Sequence, residues 1–174
     1  AELVKLSENA YRDVNIAFAN ELSMVSDRHG IEVKDLIRYA NCHPRVNILT
    51  PGCGVGGHCI AVDPWFIASG APDITPLIQA ARKVNETKKE WVIQKIIFQH
   101  DLLKKKLKRN ISIGCFGLAY KLNICDLRES PALFITNRLV ELGFDVHAAE
   151  PNIKCHNEIQ LMDSEKLLMK SDLI

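Results

Sequence analysis

Long apolar runs are missing from this sequence, and so is a surplus of charge of either sign. No stretch is apolar over the length of a membrane span, and the N-terminus lacks the charged-then-apolar order of a secretion signal. Twenty-two Lys and Arg residues stand against 21 Asp and Glu residues, a net charge of +1. This balance favours neither a nucleic acid nor an anionic membrane as partner. The sequence therefore predicts a globular protein of the cytoplasm.

Paired cysteine motifs are missing as well. The six cysteines are spread over most of the chain without a Cys-x-x-Cys spacing, and reduced thiols are expected rather than a disulfide framework. One stretch mixes the two side chains that bind zinc, at Cys42, His43, Cys53, His58 and Cys59. Adjacent residues such as His58 and Cys59 rarely turn both side chains onto one ion. We therefore predict no metal site.

Glycine is scarce except in one place. Four of the nine glycines lie within six positions, at Gly52, Gly54, Gly56 and Gly57. This segment formally matches Gly-x-Gly-x-x-Gly, but the dinucleotide-binding fingerprint needs a strand before it and a long helix after it. Here a proline precedes it and its neighbours have helical patterns, so we reject that interpretation. Two others stay open: a loop that presents Cys59 to a ligand, and a flexible turn with an incidental cysteine.

Helical periodicity dominates the first part of the chain. Apolar residues recur at helical spacing over residues 1–29, and Gly30 is suited to end that helix. Three further helices are predicted, at 33–41, at 60–69 (short and buried) and from Thr75-Pro76 to about residue 106. The last would be about 45 Å long. Because helices of that length often lie between subunits, we predict a homodimer through this helical domain.

The periodicity changes after Arg109. A strand at 110–116 is followed by a helix at 131–142, a strand at 145–149, a helix at 166–170 and the start of a strand at 172–174. Such alternation indicates a parallel sheet. We predict a mixed fold, with an all-α domain over residues 1–108 and a partial Rossmann-like α/β domain over residues 109–174. Both ends of the sequence fall inside predicted elements, so we expect a fragment of a longer protein.

One set of polar residues suggests thiol chemistry. Lys5 and Asn9 share a face of the first helix, and Glu2 and Asp13 extend their row. If this helix packs on the glycine loop, Lys5 would favour a Cys59 thiolate and Asn9 would donate to an oxyanion. Asp63 lies one helical turn after Cys59 and would orient a water. The alternative for the row is an ordinary solvated face.

Two cations follow the first predicted strand. Lys121 and Arg128 lie beyond its carboxyl end, where α/β sheets bind ligands, and both side chains suit phosphate. Ordinary loop charge, with Arg128 paired to a carboxylate, is the alternative.

Six short motifs occur in a fixed order along nearly the whole chain. They are Ala-Glu-Leu-Val-Lys-Leu-Ser-Glu-Asn at 1–9, Asn-Glu-Leu at 20–22, Gly-Val-Gly-Gly-His-Cys at 54–59 with Asp63, Arg-Lys-Val-Asn at 82–85, Gly-Leu-Ala-Tyr-Lys at 117–121 and Arg-Glu-Ser-Pro at 128–131. Their order and spacing resemble the UDP-glucose/GDP-mannose dehydrogenase family. The resemblance implies an NAD-dependent, four-electron oxidation of the C6 alcohol of a sugar nucleotide to a carboxylate. It also implies a central domain similar to the C-terminal domain of 6-phosphogluconate dehydrogenase, followed by a UDP-binding domain.

The resemblance assigns roles to individual residues by position. Cys59 would attack the aldehyde formed by the first oxidation, Lys5 and Asn9 would stabilise the alkoxide and oxyanion, and Asp63 would assist thioester hydrolysis. Arg45 would reach the substrate of a neighbouring subunit, and Arg128 would contact NAD. Substrate binding is assigned to Arg45, Gly56, Gly57, Tyr120 and Lys121.

The resemblance also indicates which sugar nucleotide is the substrate. Residues 51–66 are most similar to family members that act on UDP-N-acetylmannosamine, and Val62 stands where UDP-glucose dehydrogenases usually have a lysine. Family members begin with an N-terminal Rossmann domain that holds NAD, which this sequence lacks, so we expect no NAD turnover by this chain alone. The alternatives are a catalytically silent module for dimerisation and nucleotide-sugar binding, and a dehydrogenase for another UDP-N-acetylhexosamine.

Overall fold

A computed structural model describes residues 2–153, 156 and 159–174 of the chain. Packing divides the chain into two compact units, Ala1–Lys88 and Lys89–Ile174. The domain boundary near residue 108 stays a prediction. The helices and strands of the described part are α1 (Glu2–His29), α2 (Val33–Ala40), α3 (Asp63–Gly70), α4 (Pro76–Leu107), β1 (Ser112–Phe116), α5 (Pro131–Glu141), β2 (Asp145–Ala149) and α6 (Ser164–Lys170). No helix within these residues is long and apolar enough to cross a membrane.

Local sequence signals explain where the long helices begin and end. Helix α1 ends before Gly30, whose φ of 66° lies in the left-handed region that glycine adopts freely. Helix α4 starts at Pro76, and the carbonyl of Thr75 accepts the first backbone hydrogen bond, from Gln79 at 3.2 Å. The predicted helices at the start of the chain and from Thr75-Pro76 onward are confirmed.

The short helix α3 differs from its prediction. It begins at Asp63 rather than Ile60, because the chain first makes a turn in which the Cys59 carbonyl accepts from the N–H groups of Val62 and Asp63. The prediction that this helix is buried is largely wrong. Pro64 and Ala68 are buried, but Trp65 and Phe66 are 47% and 62% exposed.

The second unit contains the predicted parallel sheet. Strands β1 and β2 pair in parallel, with Ser112 opposite Asp145 and Phe116 opposite Ala149, and α5 connects them. Leu139 of α5 is fully buried. The third predicted strand, at 172–174, is reduced to one parallel bridge between Leu173 and Ile113. A helical first part followed by α/β structure confirms the predicted fold class.

Candidate active site

The glycine loop is fixed to helix α1 of the first unit. Gly57 has a φ of 85°, a conformation that side chains with a Cβ rarely adopt, and it is buried. At the start of the loop, the N–H of Gly52 donates to Oδ1 of Asn20, a residue of α1, at 2.8 Å. The loop is thus anchored at one end by a side chain and shaped in its middle by glycine.

Cys59 and Asp63 lie at the two ends of one turn. The Cys59 carbonyl accepts from the Asp63 N–H at 2.8 Å, which brings the thiol and the carboxylate one helical turn apart at the start of α3. The Cys59 side chain is exposed. The Asp63 side chain is half-buried. An exposed thiol beside a fixed carboxylate can react with an electrophile while the carboxylate holds a water.

Asn9 joins α1 to this turn. Its Nδ2 donates to Asp63 Oδ2 at 2.6 Å, and Asn9 itself is 8% exposed. Lys5, one turn earlier on α1, is exposed, and its Nζ contacts Glu8 Oε2 at 3.0 Å. The hydrogen bond and charge of Glu8 raise the pKa of Lys5, with smaller contributions from Cys59 and Asp63. The structure therefore brings Asn9, Cys59 and Asp63 together and places Lys5 within electrostatic reach of them.

A chain of buried polar side chains lies behind the loop. Arg82 Nη1 of α4 donates to Asp13 Oδ1 of α1 at 2.6 Å, and the two side chains are 1% and 0% exposed. Asn85 Nδ2 donates to the same Asp13 oxygen at 2.8 Å, and Asn85 Oδ1 accepts from Asn20 Nδ2 at 2.9 Å. Burial raises the pKa of Asp13, although Arg82 and Asn85 act in the opposite direction.

The direction of this hydrogen-bond chain is set by chemistry. A carboxylate without a proton can only accept, so Asn85 must turn its Nδ2 toward Asp13 and its oxygen toward Asn20. Asn20 must then present its nitrogen to Asn85 and its oxygen to the loop. The ion pair between Asp13 and Arg82 thereby fixes an acceptor for the Gly52 N–H. We call these four side chains (Asp13, Asn20, Arg82 and Asn85) the polar relay.

A buried lysine lies near the same loop. Lys88 is 3% exposed, and its Nζ donates to Ser23 Oγ at 2.6 Å. Burial lowers the pKa of Lys88 to about 8, while the charges of Asp27 and Cys53 act to raise it. Burial also raises the pKa of the Cys53 thiol. Of the two thiols near the loop, Cys59 is thus the more accessible and Cys53 the more protected.

The second unit has an open cleft after β1. Its volume is about 520 Å³, and its lining residues include Tyr120, Lys121, Asp126 and Asn152. Lys121 is exposed and has no carboxylate partner within the described residues. Phosphate groups bind to such a lysine as to a point charge.

Glu150 holds the loop that lines this cleft. The carboxylate follows β2, is 6% exposed, and accepts from the N–H groups of Leu118 at 2.8 Å and Ala119 at 3.0 Å. Its other oxygen accepts from the backbone N–H and side-chain amide of Asn152. Burial opposes ionisation of Glu150, but the N–H groups of Asn152, Ala119 and Leu118 outweigh it and lower its pKa. The sequence analysis did not single out Glu150.

The arginines assigned by resemblance have different surroundings. Arg128 forms a fork on Asp126, with Nη2 to Oδ2 at 2.7 Å and Nε to Oδ1 at 3.0 Å. The carboxylate pairing considered as the alternative for Arg128 therefore occurs. Arg45 is exposed after α2. Over residues 2–153, 156 and 159–174, no three His, Cys, Asp or Glu side chains are grouped as metal ligands.

Comparison with protein families identifies the class. The central domain of the UDP-glucose/GDP-mannose dehydrogenase family matches residues 1–87, and the UDP binding domain of the same family matches residues 114–173. The chain therefore belongs to the UDP-glucose/GDP-mannose dehydrogenase family. This confirms the family that the sequence motifs predicted.

Individual relatives are also similar. The chain is 49% identical over 180 residues to the NDP-N-acetyl-D-galactosaminuronic acid dehydrogenase of Ralstonia nicotianae, covering 100% of this chain and 41% of that protein. It is 55% identical over 157 residues to the UDP-N-acetyl-D-mannosamine dehydrogenase of Campylobacter jejuni, covering 88% of this chain and 37% of that protein. The chain thus spans about two fifths of the length of these relatives.

Two solved structures share the fold. The UDP-D-ManNAc dehydrogenase of Pyrococcus horikoshii matches with a TM-score of 0.82 at 37% identity, over 99% of this chain and 40% of that one. The UDP-N-acetyl-mannosamine dehydrogenase of Staphylococcus aureus matches with a TM-score of 0.79 at 42% identity, over 93% of this chain and 38% of that one.

The polar relay shows what the sequence analysis missed. Asp13 and Asn9 were assigned to one polar row, for which a solvated face was the alternative; both are buried, and that alternative is wrong for them. The motif Arg-Lys-Val-Asn at 82–85 was noted without a role. Arg82 and Asn85 lie three residues apart and therefore on one face of α4, where a buried partner such as Asp13 could satisfy both.

Proposed function

We propose that the protein containing this chain oxidises the C6 alcohol of a UDP-N-acetylhexosamine to the carboxylate, as a dehydrogenase of the cytoplasm in polysaccharide biosynthesis. UDP-N-acetyl-D-mannosamine is the proposed substrate and UDP-N-acetyl-D-mannosaminuronate the product. The names of similar proteins from Campylobacter jejuni and Staphylococcus aureus support this substrate. The observation that carries the proposal is the exposed thiol of Cys59 one turn before Asp63, which Asn9 holds.

The chemistry assigned to this chain begins at the aldehyde. The Cys59 sulfur adds to the carbonyl carbon, and the oxygen takes the negative charge of the new thiohemiacetal. Asn9 Nδ2 and the Lys5 ammonium are the groups we assign to that oxygen. After the second oxidation has converted the thiohemiacetal into a thioester, Asp63 orients the water that cleaves the carbon–sulfur bond. Cleavage returns the thiol and releases the carboxylate.

Two NAD molecules, bound one after the other, would each accept one hydride of this four-electron oxidation. The described residues do not fit NAD. The glycine loop has no strand before it and no long helix directly after it, and Arg128 is engaged with Asp126. We therefore propose that NAD is held mainly outside this chain, that Arg128 would contact it only after leaving Asp126, and that the chain alone does not reduce NAD.

The test uses the full-length protein with UDP-N-acetylmannosamine. Replacing Cys59 with alanine should abolish formation of the uronate, because no thioester can form. The matched control is Cys42→Ala, since Cys42 is also exposed but lies after α2. A near-normal rate of acid formation in Cys59→Ala would overturn the assignment. Comparing acid formation from the manno and galacto epimers of the substrate decides between the two kinds of relative.

A second function, dimerisation, is supported by one face of α1. Val4, Tyr11, Phe18 and Val25 are between 47% and 73% exposed and recur every seven residues. Seven residues make about two helical turns, so these apolar side chains form one stripe, which we call the α1 stripe. We propose that a second copy of the chain covers this stripe. In that arrangement Arg45 would contact substrate bound to the neighbouring subunit. Substrate contacts are also proposed for Gly56 and Gly57 of the first unit and, separately, for Tyr120 and Lys121 of the second.

A further inference from the structure

The turn after β1 is an anion-binding site that the chain itself fills. Gly117 has a φ of 92°, and the next two N–H groups, of Leu118 and Ala119, both donate to Oε2 of Glu150. Successive backbone N–H groups that converge on one point form a concavity suited to an anion. Here the anion is a carboxylate of the same unit.

The turn that Glu150 contacts has a position that binds phosphate groups in other α/β folds. In dinucleotide-binding α/β units, the turn after the first strand and the N-terminus of the next helix bind the pyrophosphate. The acidic residue after the second strand normally binds a ribose of the dinucleotide. Glu150 stands directly after β2, in that acidic position, but its carboxylate points back onto the turn.

The helix that follows also has its first donors engaged. Ser130 Oγ accepts from the Leu133 N–H at 3.3 Å, and it donates to the Leu118 carbonyl at 2.6 Å. Pro131, the first residue of α5, has no N–H to offer. A pyrophosphate at this turn would have to displace a nine-tenths buried carboxylate and would meet its negative charge.

We infer that Glu150 is a specificity-determining residue. Its carboxylate prevents pyrophosphate from binding at the turn after β1, so the phosphates of a ligand bind only in the open cleft at Lys121. The second unit then accepts a nucleoside diphosphate and rejects a dinucleotide. This inference rests on the proposed UDP-sugar function for the identity of the accepted ligand. Glu150 acts as a positioning residue, because it contacts the chain rather than the ligand.

The first experiment needs no variant. The 15N-labelled chain is titrated with UDP, NAD and inorganic pyrophosphate, and the backbone amide signals are followed by NMR. UDP should shift the signals of Tyr120, Lys121 and Asn152, whereas NAD and pyrophosphate should leave those of Leu118 and Ala119 in place. Shifts of these two amides by NAD or pyrophosphate, at affinity equal to that of UDP, would overturn the inference. If UDP causes no shift, the proposed nucleotide-sugar function fails, and the closure of the turn is still decided by NAD and pyrophosphate.

The second experiment changes the charge. Glu150→Gln keeps the size of the side chain but removes the negative charge, so affinity for pyrophosphate should rise at least about fivefold while affinity for UDP falls. The matched control is Glu141→Gln, at the exposed ion pair with Arg138 at the end of α5, which should change neither. A residue with a merely structural role would lower both affinities together, and an unchanged ratio of the two would contradict the inference. Circular dichroism checks that the variant folds; if it does not, the wild-type titration decides alone.

Discussion

Asn9 on α1 donates a 2.6 Å hydrogen bond to Asp63 on α3, although 54 residues separate them. The bond fixes the carboxylate that begins the helix after Cys59. It also uses one donor of Asn9 on Asp63, so the second N–H of the same amide is the one left for a developing oxyanion. The two roles proposed for this pair are therefore coupled in one side chain.

Removing the Asn9 amide should lower the rate of acid formation strongly and the free energy of unfolding moderately. For Asn9→Ala in the full-length protein we expect acid formation to fall by about 10²–10³. The free energy of unfolding should fall by about 1–3 kcal/mol, because Asp63 loses a partner. The control is Asn15→Ala, since the Asn15 amide donates to the Tyr11 carbonyl of its own helix. Steady-state rates and urea unfolding measure both effects; equal rates for the two variants would contradict the assignment.

Breaking the ion pair of the polar relay should destabilise the first unit. Asp13→Asn removes the fully buried counter-charge of Arg82 and leaves it only the Glu86 carboxylate, which is 46% exposed and lies 2.8 Å from Arg82 Nη2. We expect a loss of up to about 3–5 kcal/mol in the free energy of unfolding. The control is Asp35→Asn, which removes an exposed pair with Arg38 and should cost about 0–1 kcal/mol. Chemical denaturation of both variants measures the difference. A loss below about 1 kcal/mol for Asp13→Asn would contradict the importance of the pair.

Lys88 should make stability rise with pH. Its pKa is lowered from 10.5 to about 8 in the folded chain. Between these values the unfolded chain binds more protons than the folded one, so the free energy of unfolding increases with pH. The slope from this group approaches about 1.4 kcal/mol per pH unit, and below its folded pKa the contribution is flat.

Two variants separate the contribution of Lys88 to the pH dependence of the unfolding free energy from the contributions of other titrating groups. Lys88→Met should lose it, whereas Lys83→Met, on the exposed side of α4, should keep it. Urea unfolding of the three proteins across the window gives the comparison. The same pH dependence in wild type and Lys88→Met would show that Lys88 titrates normally.

The cysteines should differ in reactivity. Cys42, Cys59 and Cys125 are exposed, whereas burial raises the pKa of Cys53 and Cys115. Because the thiolate is the nucleophile, iodoacetamide should alkylate Cys42, Cys59 and Cys125 before Cys53 and Cys115. Peptide mapping by mass spectrometry after short exposure measures the order, and labelling in urea should remove the difference. If Cys53 in the native chain is labelled as fast as Cys59, the predicted order of reactivity is wrong.

The α1 stripe should determine the oligomeric state. Light scattering on the purified chain should give twice the mass of one copy, and Phe18→Glu should shift it toward one copy by placing a charge in the apolar contact. Tyr39→Glu is the control, because Tyr39 is 68% exposed on α2 outside the stripe. A single-copy mass for the wild-type chain would rule out the dimer.

The elements of this fold were predictable because their signals are local. Gly30 and Gly143 end helices, Pro76 and Pro131 begin them, and the sequence 145–149 alternates as a strand does. The burial of Asp13 was not predictable in this way, because Arg82 lies 69 residues further along the chain. Glu150 was missed for the same reason: its N–H partners at Leu118 and Ala119 come from the loop after another strand. Sequence periodicity indicates which face of a helix is apolar, but it does not pair polar residues across the fold.

The polar relay limits how the thiol loop can be engineered. The acceptor that holds Gly52 is oriented by Asn85, and Asn85 is oriented by Asp13. A peptide of the loop, or the loop grafted onto another scaffold, would carry the glycines and the cysteine but not the acceptor with its fixed polarity. To transfer the reactive thiol in its native surroundings to another protein, one would have to transfer the facing segments of α1 and α4 together with the loop. The smallest unit that can be transferred therefore has three chain segments, not one short motif.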